Sequence, residues 1–266
     1  MKKDTDKLID AAEQMLEGER LLGGLFLPAE RNPLPGPAAD GGGVCGAEAW
    51  PDGRAMTAEQ RAAALATIDV NEVRGCTRCG LCQGRRQTVF GEGSPMSRLV
   101  FIGEGPGEEE DRTGRPFVGR AGELLNRMIT AMGLKRQDTY IGNIVKCRPP
   151  GNRAPAVEEA EACRTYLVRQ LQILAPAVIV TLGNPATQNL LDTTVGITKL
   201  RGQWQKLPAI APGLGGIDVM PTFHPAYVLR QYTADVRSKV WADLQQVLDR
   251  LGISPPAPPA KRKPQL

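Results

Sequence analysis

Three polar residues stand where a parallel-sheet protein usually keeps its chemistry. Glu104, Asn143 and His224 lie at or near the ends of short, largely apolar runs: Leu99-Val100-Phe101-Ile102, Tyr140–Val145 and Ile217–Pro221. In open α/β sheets, ligands bind beyond the carboxyl ends of the strands, so the three form a candidate site. A carboxylate can orient water, a carboxamide can read adjacent donors and acceptors, and an imidazole can donate to developing charge. Each also has a plain structural reading. Asparagine is common at strand-end turns, and His224, the single histidine, precedes Pro225 in what reads as a turn.

The cysteines are the second constellation. Cys76 and Cys79 form a CxxC, Cys82 follows at the same spacing, and Cys147 and Cys163 lie farther along. Four thiolates can hold a 4Fe–4S cluster or a structural zinc. The wide spacing of the second pair and the distance of the only histidine favour iron–sulfur. Cys163 also falls on the apolar face Ala160, Cys163, Leu167, Leu171 and Leu174, so it reads equally well as a small core residue. Cys79 and Cys82 resemble a redox pair, but no strand precedes them. Cys45 lies in a Gly-rich stretch and is not read as a ligand.

The elements that must position these groups follow from apolar patterning. Helices are expected over 4–23, 58–73, 121–132, 155–174, 185–191 and 235–251, with Pro155 suited to a first helical turn. Strands are expected over 99–102, 140–145, 178–182 and 217–221. Continuous apolar strands alternating with helices imply an α/β fold, a parallel sheet covered on both faces. The organisation reads as an N-terminal helix over 1–26, a Pro/Gly-rich linker over 27–56, one domain over 57–252 and a disordered basic tail over 253–266. Net charge is +4, compatible with a polyanionic partner without requiring one. No apolar run approaches the about 18 residues of a membrane helix, and the charged start Met1-Lys2-Lys3-Asp4 is unlike a signal peptide. The expectation is a cytoplasmic protein whose six cysteines are not disulfides.

Several longer runs, in order, carry a resemblance. They are Cys76-Thr77-Arg78-Cys79, Val89-Phe90-Gly91-Glu92-Gly93, Gly103-Glu104-Gly105-Pro106-Gly107 with Glu108–Asp111, and Gly114-Arg115-Pro116-Phe117-Val118-Gly119. Asn143–Pro150 with Asn152-Arg153, and His224-Pro225-Ala226-Tyr227, complete the set. Over about residues 70–250 the chain resembles the family 4, iron–sulfur uracil-DNA glycosylases. The resemblance implies a three-layer α/β/α fold with a four-stranded parallel central sheet. It implies a DNA-repair hydrolase that releases uracil from uracil-containing DNA and leaves an abasic site. It also implies a 4Fe–4S cluster on Cys76, Cys79, Cys147 and Cys163, with Cys82 additional to the usual pattern.

On that resemblance Phe117 stacks on the extruded base, Asn143 reads its edge, Gly105 lies in the turn that approaches it closely, and His224 donates to the oxygen that gains charge. Glu104 and Glu110 are alternatives for positioning water. Arg148, Arg153, Arg201 and Arg230, with Lys146, are the candidate phosphate contacts, and Leu229 a candidate wedge. The expected protein is a nucleoid-associated monomer, with replication or repair proteins as possible contacts of the termini. Three rivals stand: a non-catalytic iron–sulfur DNA-binding protein of the same fold, a glycosylase for another deaminated base, and an electron-transfer protein.

Overall fold

A computed structural model describes residues 53–255. The expected N-terminal helix, most of the linker with Cys45, and all but the first residues of the basic tail lie outside those residues.

The sheet has six strands in the order β1-β3-β2-β4-β6-β5. They are β1 (Glu92–Gly93), β2 (Leu99–Gly103), β3 (Tyr140–Asn143), β4 (Val178–Leu182), β5 (Gln205–Lys206) and β6 (Asp218–Thr222). The four central strands are parallel, as expected. The two edge strands are antiparallel, so the sheet is mixed and larger than the four strands expected. Two-residue edges carry no periodicity, which is why the sequence hides them.

Alternation sorts the central strands between two cores. Val100, Ile102 and Ile179 pack with Leu167 and Leu171 of the long helix Val157–Leu174. Leu99, Phe101, Val178 and Val180 pack on the other face against Leu125 and Ile129 of Arg120–Ala131 and Val247 of Ala234–Leu251. This is a three-layer arrangement. The long helix begins at Val157 with Ala156 as its cap, so Pro155 precedes the first turn instead of opening it. Its C-terminal end meets a buried cation: Arg61 donates to Leu174 O at 2.7 Å and Gly53 O at 2.9 Å. That pairing favours the negative end of the helix dipole and ties the helix Ala58–Ile68 to the domain.

The chain order creates the site. β3 lies on one side of β2 and β4 on the other. Loops leaving β2 and β4 therefore diverge and open a crevice at the switch point.

Candidate active site and cysteine cage

A cleft of about 790 Å³ occupies that crevice, lined by residues that follow β2, β3, β4 and β6. Its size suits a small organic group. Glu104, Gly105, Glu110, Phe117, Asn143 and His224 all line it.

Asn143 ends β3 and is paired in register with Gly103. It is 1% exposed, yet neither its Nδ2 nor its Oδ1 has a hydrogen-bond partner. A buried polar group left unpaired costs about 1–3 kcal/mol, so this amide is held ready for a ligand. Glycine at 103 makes the arrangement possible. A Cβ there would come within 2.6 Å of Asn143 Oδ1 and 2.5 Å of Phe117 Cζ. The Phe117 ring and the Asn143 amide therefore converge over bare backbone. Phe117 also belongs to the second core, so its packing and its place in the cleft are not alternatives.

His224 caps the short helix Pro225–Arg230, its Nδ1 accepting from the Ala226 N–H at 3.1 Å. Nδ1 is thus the acceptor, and the proton of a neutral ring lies on Nε2. Burial first, then the Arg230 charge, pulls its pKa down to about 4, against an opposing effect of Glu110. The ring is a neutral donor at physiological pH. It lies 5.7 Å from the Phe117 ring, centroid to centroid.

The two acidic candidates separate on their partners. Glu110 Oε1 accepts from Val118 N (2.8 Å) and Gly119 N (2.9 Å), while its Oε2 accepts from Gly107 N (3.1 Å). Its carboxylate joins two loops and is committed to them. The Glu104 carboxylate has no hydrogen bond or ion pair among the described residues, and burial raises its pKa.

The cations divide similarly. Arg230 lines the cleft and is exposed, and its guanidinium has no hydrogen bond or ion pair among the described residues. Arg153 also lines it but is paired with Glu159 at 2.7 Å. Arg148 lies outside the lining and is held by Asn152 at 2.8 Å. Arg201 is committed to the buried Asp243 and to the Lys239 carbonyl. Lys146 is 1% exposed, donating to Asn143 O (2.9 Å) and Gln170 Oε1 (2.6 Å). It cannot reach a phosphate, and the expectation that it does is corrected. Leu229 packs against the second core instead of standing out as a wedge. Sequence reasoning missed Arg120, an exposed cation on the cleft wall one residue beyond the Gly114–Gly119 run.

Residues 90–245 match the profile of the Uracil DNA glycosylase superfamily. The chain belongs to that superfamily. It is 47% identical over 186 residues to a Type-4 uracil-DNA glycosylase of Thermotoga maritima, covering 68% of this chain and 92% of that protein. Type-4 uracil-DNA glycosylases of Sulfurisphaera tokodaii (42% over 192 residues; 69% and 83%) and Archaeoglobus fulgidus (40% over 191 residues; 70% and 94%) are similar too.

In this superfamily member a second hollow lies apart from the cleft and shares no lining residue with it. Cys76, Cys79, Cys82, Cys147 and Cys163 all border it. Arg85 donates to Cys147 Sγ at 3.3 Å, and the Lys146 backbone N–H donates to Cys163 Sγ at 3.3 Å. Burial pushes the Cys147 thiol up to about 11, opposed by Arg85, with Cys163 and Cys79 adding to the rise. Burial also raises Cys163, and Cys76 and Cys79 add to it. Cys76 and Cys79 pack against the core cluster that contains Cys147 and Cys163. Among the described residues no three such ligands lie close enough for one metal ion. The donor set, with one backbone N–H and a guanidinium directed at sulfur, fits a cluster.

Proposed function

We propose that the cleft hydrolyses the N-glycosidic bond of uracil in DNA, releasing uracil and leaving an abasic site. The observation that carries this reading is the Asn143 amide, buried and unpartnered beside the Phe117 ring and the neutral His224. The base must leave the stack to enter such a cleft. Asn143 accepts from the ring N–H of uracil and donates to the adjacent carbonyl oxygen. Cytosine presents an unprotonated ring nitrogen and an amino group there, which a fixed amide rejects.

Glu104 orients water toward C1′ and takes its proton as the C1′–O bond forms. The C1′–N1 bond breaks, and its electron pair spreads onto uracil N1 and O2. Nε2–H of His224 donates to that oxygen, a role that needs no protonated imidazole. Glu110 shapes the loops and does not act on water. Arg120 and Arg230 hold phosphates on the cleft rim, Arg120 taking the place that Arg148 and Arg201 are not positioned to fill.

Cys76, Cys79, Cys147 and Cys163 would hold the 4Fe–4S cluster, which supplies a structural tie between the Cys76 segment and the long helix. Cys79 is favoured over Cys82 because it packs against the core cluster that holds Cys147 and Cys163. Uracil-containing DNA is the partner this reading requires. Among the described residues no helix is long and apolar enough to cross a membrane.

The test is incubation of iron-loaded protein with single- and double-stranded uracil oligonucleotides. Abasic product is expected from uracil and not from cytosine. DNA binding without abasic product would leave the non-catalytic reading standing.

A further inference from the structure

Phe117 has a backbone φ of +50°. A bulky residue rarely adopts that left-handed conformation, which costs about 1–3 kcal/mol and persists only where its surroundings impose it. Those surroundings are a pair of opposite charges acting on successive peptides. The Arg136 guanidinium donates to the carbonyl oxygens of Pro116 (2.5 Å) and Phe117 (3.1 Å). The Glu110 carboxylate accepts from the next two amides, Val118 and Gly119. A cation thus holds the carbonyls and an anion the N–H groups of one four-residue loop. The helix Arg120–Ala131 closes the third side, because a Cβ at Gly122 would lie 2.0 Å from the Phe117 carbonyl oxygen.

Arg136 is itself fixed. It donates to Asn126 Oδ1 at 2.7 Å and, through Nε, to Glu92 Oε1 at 2.8 Å. Glu92 also receives Arg115 at 2.8 Å, and the hydrogen bonds and charges of both guanidiniums hold its pKa below the usual carboxylate range despite burial. Neither Arg136 nor Glu92 lines the cleft. The run containing Glu92, which had no role in the chemistry, anchors the arginine that fixes the loop.

We propose that Arg136, anchored by Glu92, is a positioning residue for base stacking: it locks the Phe117 loop so that the ring presents one face to the extruded base. This rests on the reading of Phe117 as the stacking residue. Arg136 carries the task because only a planar fork can reach two successive carbonyls while a third nitrogen is anchored. Lysine keeps the charge but not the fork.

A double-mutant cycle tests it on the full-length, iron-loaded chain, with Arg136→Lys, Phe117→Ala and the pair. Alanine keeps the backbone demand at 117 and removes only the ring. Single-turnover uracil excision and the Kd for uracil-free DNA are measured for each. Arg136→Lys is expected to slow excision about 10- to 100-fold, the scale of a misplaced binding group. Its Kd stays within about twofold, and its cost largely disappears in the Phe117→Ala background, as coupling requires. A wild-type rate for Arg136→Lys overturns the proposal. So does an equal loss in both backgrounds, the mark of general destabilisation. Should Arg136→Lys fold poorly, Glu92→Gln loosens the anchor while leaving the fork intact, and the same dependence on the Phe117 ring is required of it. A wild-type rate for Phe117→Ala alone would instead sink the stacking reading and leave the loop geometry without that purpose.

Discussion

Asn143 and Cys147 are four residues apart, yet they serve sites built on opposite principles. At Asn143, beside the cleft, both polar side-chain atoms are buried without partners. At Lys146 and Cys147, beside the cage, polar groups are matched: the lysine Nζ has two acceptors, its backbone N–H meets Cys163 Sγ, and Cys147 Sγ receives Arg85. The difference separates where free energy is stored from where it is released. The cleft keeps hydrogen-bonding capacity unsatisfied, and that capacity is what a substrate can satisfy. The frame around the thiols satisfies its hydrogen-bonding capacity internally, as a structural element should.

Asn143→Leu probes that contrast most severely. Uracil excision should fall by about 10²–10³ or more, as when a preorganised donor is removed. Thermal stability should rise, because an apolar side chain of similar shape relieves the buried unpaired amide. A lower Tm with the same rate loss would show that the amide is not held unsatisfied in the free protein.

His224→Ala should cost about 10²–10³ in single-turnover rate, with a small change in DNA affinity. The pH dependence sharpens the point. The folded pKa of about 4 lies below the ordinary 6.5, so on acidification the unfolded chain binds this proton first. The contribution of His224 to stability is therefore unchanged above about 6.5, lost progressively toward about 4, and constant below that. Thermal melts should show wild type losing more stability than His224→Asn over that window. The excision rate should show no histidine inflection near 6.5. Its acid limb should belong to Glu104, whose pKa burial raises, and should vanish in Glu104→Gln.

Cys163→Ser should do the reverse. Iron content falls and Tm drops, by about 10 °C if some 3 kcal/mol is lost. Excision per folded molecule should change little, since cage and cleft share no lining residue. A rate loss larger than the loss of folded protein would mean the cage acts on the cleft through Lys146, whose Nζ holds the Asn143 carbonyl.

Much of this was legible in the sequence. Val178–Leu182 was readable to the residue because a fully buried strand is an unbroken apolar run, and strand ends located Glu104 and His224, whereas the strand expected over 140–145 stops at Asn143. What stayed hidden depends on partners distant along the chain. Glu104 and Glu110 differ only in which amides reach them. Lys146 and Arg148 are two residues apart with different fates, one buried under Gln170 and one half-buried and held by Asn152. Arg136 looks like an ordinary turn cation until its fork meets the Phe117 loop. Charge and spacing place such residues near the site but cannot say which are already engaged.

That last distinction gives the smallest and most discriminating effect. A phosphate contact needs a guanidinium not already committed to a carboxylate. Arg120 and Arg230 meet that condition on the cleft wall, whereas Arg201 is bound to a buried Asp243. Replacing Arg120 or Arg230 by Ala should weaken DNA binding a few-fold, and each should reduce the slope of log K against log salt by about 1. Arg201→Ala should leave the slope unchanged and lower Tm, because it strands a buried carboxylate. If Arg201→Ala reduced the slope instead, its pairing with Asp243 would have to open when DNA binds, and engagement in the free protein would no longer mark a cation as structural.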